Sequence, residues 1–568
     1  KGVIEFTPVS QGGKLRQGQY IPAGSVYFSS DPSERKATGS YYTPEYIVDY
    51  IVQSTLGEKL SEIKFEFLEF EKENISAYKL AINASERQSI SSLLEERILD
   101  FVNNKVLELS VVDPAMGSGH FLVSATNLIS NTITSIINSL DIDTDIETDT
   151  SIWRRWVVEN CIYGVDINTL AVELAKLSLW ILSMAKNRPL SFMNHHIKCG
   201  NSLVGAQLED IGNYPLDNIK MISQTLEPTQ MTYFENDPGF SSSVDEVLLK
   251  SKMISQLNSL TLEDVEEKSV WLEDIEETLQ KYKIICDVHT SLFFDKNISK
   301  EEYSRIVKET DSDTAESLAG NQSYFHWELE FPDIFLSSDS GFDVILGNPP
   351  WGSELTSLEK NYLMKNFEFV HTRTPDSFNY FLALAFFLGL KFQSCYLGMI
   401  VPNNFFFQHE FSKSRKFFLE SSLFHRVLNL GDSVFKVTVP SGIVIMKATE
   451  KKSSNAIVEI GDFRDFSREM LPEKINNVSL ENITAIDIQK IPGQVIPMDL
   501  KSSLLLSKIL ESTPYRLDNI SKYVASGIGT GGNKIFCIPT SQAMDLQIEE
   551  HILKPVLAGR DIHEFYVP

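Results

Sequence analysis

Residues 106–112 alternate between apolar and polar side chains as a strand does. They end in Asp113-Pro114-Ala115-Met116-Gly117-Ser118-Gly119-His120-Phe121, and an apolar helix follows over 122–140. A strand, a glycine-rich turn and a helix, in that order, form the opening unit of a nucleotide-binding α/β sheet. The glycines let a ligand approach the backbone, and the helix N-terminus offers N–H groups. The stretch is not a dinucleotide fingerprint: no third glycine stands at the required offset, and Asp113 would repel a pyrophosphate. An acid at a strand tip suits a cationic ligand such as the ammonium group of an amino acid. That points to S-adenosylmethionine over NAD.

The same grammar repeats downstream. Cys161-Ile162-Tyr163-Gly164-Val165-Asp166-Ile167 reads as a second strand. Asp166 stands at its end, where a carboxylate accepts both hydroxyls of a ribose or serves as a solvated turn residue. The apolar helix over 169–185 should pack on the sheet. Residues 197–203 read as a third strand and turn, in which Asn201 is either a contact to the cofactor adenine or an ordinary turn residue.

Phe342-Asp343-Val344-Ile345-Leu346-Gly347 is a further buried strand, stopped by Asn348-Pro349-Pro350-Trp351 because two prolines cannot continue a ladder. This turn presents a carboxamide, two carbonyls whose residues lack an N–H, and an indole. The Asn348 oxygen and a proline carbonyl can accept from an exocyclic amino group while Trp351 stacks on the ring that bears it. By itself Asn-Pro-Pro is also an ordinary turn, and the strands upstream give it its meaning. Asp376-Ser377-Phe378-Asn379-Tyr380 then opens an apolar helix to 390. Strands follow at 396–401 and 425–430, and 443–446 completes a late hairpin. Phe435, in the hairpin loop, is expected opposite Trp351 as the second half of an aromatic clamp. Nearer the front, Thr43 reads as an N-cap with Pro44 at the first helical position, and Ile47, Val48, Tyr50 and Ile51 give that helix an apolar face.

At 568 residues the chain is too long for one core, and two to four domains are expected. It starts at Lys1, shows no signal peptide, and reads as part of something longer. Its five cysteines are scattered with no Cys-x-x-Cys, which argues against zinc and disulfides and suits a reducing cytoplasm. A net charge of −26 speaks against nucleic-acid binding taken globally. However, residues 205–340 hold 28 acidic against 10 basic side chains, so one segment carries most of the imbalance. Its acidic runs, such as Glu263-Asp264-Val265-Glu266-Glu267, read as solvated helix faces, not metal sites. By contrast, 401–450 hold six basic against four acidic residues. The tail carries a glycine-rich basic loop, Ser526 to Lys534, which is not a P-loop because no Gly-Lys-Ser/Thr closes it.

Taken in order, Tyr-Tyr-Thr-Pro at 41–44, Asp-Pro-Ala-Met-Gly-Ser-Gly-His-Phe, Val-Asp-Ile, Gly-Asn-Ser-Leu and Gly-Asn-Pro-Pro-Trp resemble the gamma-class DNA adenine-N6 methyltransferases. The insert and the Gly-Ile-Gly-Thr-Gly, Lys-Pro and Gly-Arg-Asp-Ile tail look most like the large single-chain enzymes of type IIG restriction-modification and of BREX- or DISARM-type phage defence. Met116 departs from the cysteine more often found there, and Asn201 replaces a family acid. The resemblance implies an α/β fold: a Rossmann-like class I S-adenosylmethionine-dependent methyltransferase sheet, with a helical insert and the start of a C-terminal target-recognition domain. The expected division is a linker or the end of a missing domain over 1–35, a methyltransferase domain over 36–205 and 341–495, an acidic insert over 206–340, and target recognition from 496 to 568. Tyr42, Thr43 and Pro44 would close over the methionine end of S-adenosylmethionine. Asp113, Pro114, Ala115, Met116, Gly117, Gly119 and Phe121 would hold it. Asp166 with Ile167 would take the ribose and Asn201 the adenine. Asn348, Pro349, Pro350, Trp351 and Phe435 would bind the target base, flipped out of double-stranded DNA, and Lys534, Lys554 and Arg560 would bind DNA. Two other readings remain open: a catalytically silent cofactor- and DNA-binding recognition subunit of a defence complex, and a protein or rRNA amino-methyltransferase.

Overall fold

The structure is a computed structural model. It describes residues 3–5, 19–21 and 42–499, apart from 82, 140–145, 147–148, 216–237, 295–297, 310–323, 338–340, 390–394, 422–423, 436–438 and 449–455. The chain divides into two compact units at Ser503, and residues 42–499 belong to the first.

Helix α1, Glu45–Val52, buries Ile47, Val48, Tyr50, Ile51 and Val52, as its apolar spacing requires. Pro44 is its N-cap, so the helix begins one residue later than the Thr-Pro pattern suggested, and the Thr43 side chain makes no capping bond. Three helices follow (Glu58–Phe70, Lys72–Leu80 and Ala84–Phe101). Strand β1 is short, Val111–Asp113: of the strand expected over 106–112, Val106 ends a wide helical turn and only the last two residues join the sheet. Next come α2, His120–Ser139, then α3, Thr150–Asn160, β2, Ile162–Asp166, α4, Thr169–Ser183, and β3, Ile197–Cys199. The insert holds α5, Pro238–Gln256, and α6, Leu262–Ser291. After it come β4, Val344–Gly347, α7, Ser377–Leu388, β5, Cys395–Pro402, β6, Phe424–Gly431, β7, Ser441–Ala448, β8, Ile457–Asp462, and β9, Glu481–Thr484.

Among the described residues these nine strands form one sheet in the order β9-β8-β6-β7-β5-β4-β1-β2-β3. Strands β3, β2, β1, β4 and β5 run parallel, as does the β6–β8 pair, whereas β7 is antiparallel to both of its neighbours and β9 is antiparallel to β8. The chain therefore starts in the middle, steps outward to β3, and returns to lay β4 beside β1 before stepping the other way. Open parallel sheets bind ligands where the strand order reverses, beyond the strands' C-terminal ends. Here that crevice lies between Asp113 and Gly347, the last residues of β1 and β4. The strands beside it, β1 and β4, are buried throughout, which explains their unbroken apolar runs.

The insert has its own apolar core, in which Ile254, Ile275, Leu279, Tyr282, Ile285 and Ile306 meet. A reciprocal cap between Thr261 and Asp264 starts α6. Buried ions join insert to sheet. Lys268 of α6 reaches Glu159 of α3 at 2.8 Å, and Arg155 of α3 lies 3.4 Å from the same carboxylate. Lys198 of β3 and Lys283 of α6 both meet Glu330, at 2.9 and 2.7 Å. Burial opposes the Glu330 charge, but the two ammonium groups hold its carboxyl down at about 2.

Candidate active site

The glycine-rich turn after β1 closes back onto the sheet. Met116 N donates to Val165 O of β2, and Gly117 N donates to Asp166 Oδ2 at 2.9 Å. The other oxygen of Asp166 accepts from Asn168 N, so this carboxylate organises the turn as well as ending a strand. Gly119 adopts a left-handed φ of +80°, and a Cβ there would lie 3.3 Å from the Ala175 backbone of α4. Glycine at this position thus meets both a conformational and a packing demand. Ser202, after β3, donates to Pro114 O at 2.6 Å and ties the third strand tip to the first.

Asp113 is 1% exposed. It accepts from Ala115 N at 3.0 Å, and its carboxyl packs so tightly on the end of β4 that a Cβ at Gly347 would stand 2.6 Å from Oδ1. Burial pushes its carboxyl up to about 8, with Asp166 adding to the effect and the Ala115 N–H opposing it. A buried carboxylate this short of positive charge suits a cationic ligand. Asp166 is also raised, by burial first, against the backbone donors Asn168 and Gly117.

Asn348 begins the turn beyond β4 and is half-buried. Its Nδ2 donates to Thr43 Oγ1 at 3.1 Å, so the hydroxyl expected to cap α1 instead orients the carboxamide. With Nδ2 turned to Thr43, Oδ1 is the acceptor end. Trp351 and Phe435 are in contact edge to face: their centroids are 5.4 Å apart and their planes 87° apart. A base between two parallel rings needs them about 7 Å apart, two van der Waals contacts. A sandwich therefore requires one ring to turn. The T-shape itself is what two buried rings adopt when they fill a slot together.

Tyr42 is 76% exposed and stacks on His120 at 5.2 Å, and Ile167 and Asn201 stand at the tips of β2 and β3. Met116 and Phe121 have side chains inside the main core. Pro44, Pro114, Ala115, Pro349 and Pro350 are buried or half-buried in the segments just described. Lys534, Lys554 and Arg560 lie outside the described residues. Sequence reasoning missed His120, Ser202, Asp376 and Ser377. The last two were visible only as a helix opening.

A parallel sheet reversing between β1 and β4, an antiparallel β7 inserted between β5 and β6, and acids at the tips of β1 and β2 define the class I S-adenosylmethionine-dependent methyltransferase fold. Residues 160–435 match the family model described as Eco57I restriction-modification methylase, and residues 86–206 match that of the MmeI DNA-methyltransferase domain. Together the two matches span residues 86–435. RM.MjaORFECS2P of Methanocaldococcus jannaschii, whose name gives it as a type II restriction enzyme and methyltransferase, is 25% identical over 545 residues, covering 88% of this chain and 43% of its own. The type II methyltransferase M.VspI of a Vibrio species is 25% identical over 272 residues, 47% of this chain and 59% of its own. This chain thus spans less than half the length of the archaeal relative. Among solved structures, the type IIL enzyme MmeI in complex with DNA superposes with a TM-score of 0.39 at 13% identity, over 80% of this chain and 41% of that one.

Proposed function

We propose that this chain is the methyl-transfer core of a DNA adenine-N6 methyltransferase, the modification part of a restriction-modification or phage-defence system inside the cell. S-adenosylmethionine is the donor and double-stranded DNA the substrate. The observation that carries this reading is the Asn348 turn at the reversal point of the sheet, its carboxamide fixed by Thr43 and its neighbour Gly347 pressed on Asp113.

When bound, the cofactor supplies a methyl group carried on a sulfonium. Asp113 would offer a carboxylate to its ammonium and Asp166 one to its ribose hydroxyls, and Thr43 and Pro44 would close over its methionine end. Asn348 Oδ1 and the Pro349 carbonyl accept from the target amino group. Two acceptors draw that nitrogen towards tetrahedral geometry and localise its lone pair for in-line attack. As N6 bonds to the methyl group, the carbon–sulfur bond would break and N6 would release one proton to solvent; placing these groups in advance lowers the barrier. An adenine inside a stacked duplex cannot present N6 in line, so the base leaves the helix at a cost of about a few kcal/mol, which stacking on Trp351 helps to offset.

The test is expression of the full-length protein in a host lacking adenine methylation, with genomic DNA digested to nucleosides and N6-methyladenine measured by mass spectrometry. We expect a signal from wild type, reduced by about a hundredfold or more in Asn348→Ala, a loss of several kcal/mol of transition-state stabilisation. Methylation within about threefold of wild type in the variant would refute the assigned mechanism.

A further inference from the structure

The turn bearing Trp351 is gripped by two adjacent side chains at the start of α7. Ser377 Oγ donates to Pro350 O at 2.6 Å, and Asp376 Oδ1 accepts from Gly352 N at 2.9 Å. The first bond fixes the residue before Trp351 and the second the residue after it, so together they frame the peptide planes from which the indole departs. Ser377 is itself anchored. It is buried, it accepts from Ser353 Oγ at 2.7 Å, and it opens a helix whose Phe378, Tyr380, Phe381 and Leu382 are all buried. The grip is therefore referred to the core of the sheet and not to a surface loop.

A side chain's direction is set by the backbone that carries it, and aromatic stacking depends steeply on ring angle and offset. Resting on the function proposed above, we infer that Asp376 and Ser377 are positioning residues. They hold the Trp351 indole where the target base stacks, and they act on methyl transfer and not on cofactor binding. Among the described residues, neither makes a hydrogen bond to Asp113 or Gly347. Their hydrogen bonds go to the aromatic end of the turn, while Thr43 serves the carboxamide end.

The experiment uses full-length protein labelled with 5-fluorotryptophan, whose reporters within these 568 residues are Trp153, Trp156, Trp180, Trp271, Trp327 and Trp351. Trp351→Phe identifies the relevant fluorine resonance. We expect Ser377→Ala and Asp376→Ala each to shift or broaden the Trp351 signal alone, and Ser377→Thr to restore it. In parallel, methyl transfer to unmethylated plasmid DNA at saturating S-adenosylmethionine should fall about ten- to a hundredfold, with the cofactor dissociation constant within about twofold of wild type. Asp376 is half-buried, so its alanine variant carries the test if Ser377→Ala does not fold. A Trp351 resonance unmoved by either substitution, or a loss of rate matched by a loss of cofactor affinity, overturns the inference. Wild-type protein that transfers no methyl group to DNA would sink the functional reading instead, and the fluorine spectra would still judge the positioning.

Discussion

At the scale of single residues, the site is built from groups whose chemistry the sequence displays and whose state only burial sets. Asp113 shows this most clearly. Its carboxyl stands at about 8 in the folded chain because burial and Asp166 disfavour its charge, against about 3.9 when unfolded. Between those values the native state holds a proton that the unfolded chain has lost. The Asp113 contribution to stability is therefore fully present below about pH 4 and disappears as pH rises through about 8. We expect the urea midpoint of wild type to fall between pH 6 and pH 8.5, and Asp113→Asn to flatten that slope while weakening S-adenosylmethionine binding in calorimetry. An equal slope in the variant would show that Asp113 is not the group responsible. Thr43 makes the complementary point. Its place before Pro44 reads as a cap, yet its hydroxyl faces Asn348, more than 300 residues away in the chain, a pairing that no local pattern reveals.

At the scale of elements, α4 separates what periodicity shows from what it hides. The helix is apolar nearly all round, and the sequence reads it simply as sheet-packing. One face is so used, with Val172, Ala175, Leu179 and Ser183 buried. The other, Leu170, Leu174, Leu177, Ile181 and Met184, is exposed at three- and four-residue spacing. Leu179→Ala should therefore cost about 2–5 kcal/mol, whereas Leu177→Glu, two residues away, should shift stability by no more than about 0.5 kcal/mol. Denaturant midpoints of the two variants decide it, and a comparable loss in both would mean that Leu177 is covered in the folded protein. The α7 start is a second case. Asp376-Ser377 looks like an ordinary helix opening, but its side chains hold the turn of another element.

Across the whole molecule, the acidic insert is a body with its own core, tied to the sheet by buried cations. The sequence shows the excess of acid but not that Lys268, 1% exposed, is among the largest fully buried side chains of the described residues. Burial pulls its ammonium down and Glu159 opposes that pull. Removing one member of a buried pair leaves the other charge stranded. Lys268→Ala should cost about 3 kcal/mol, the low end for such a deletion, because Arg155 remains beside Glu159. Lys250→Ala, whose partners Glu246 and Asp274 are largely exposed, should cost less than about 1 kcal/mol. Hydrogen exchange should show α6 losing protection first in the Lys268 variant. Uniform protection there would mean that the ion pair does not hold the insert to the sheet.

The sequence by itself determined the α/β class, the central strands, the acids at the ends of β1 and β2, and the Asn-Pro-Pro-Trp turn. These follow from local rules: two-residue alternation, proline's missing N–H, and glycine's freedom at tight turns. The tertiary structure alone decided which hydroxyl orients Asn348, that Trp351 and Phe435 meet edge to face, which flank of α4 is covered, and which lysine of an acidic insert lies inside. Each of these is a contact between residues distant in the chain, and its energy comes from desolvation and packing that exist only once the sheet has brought the partners together.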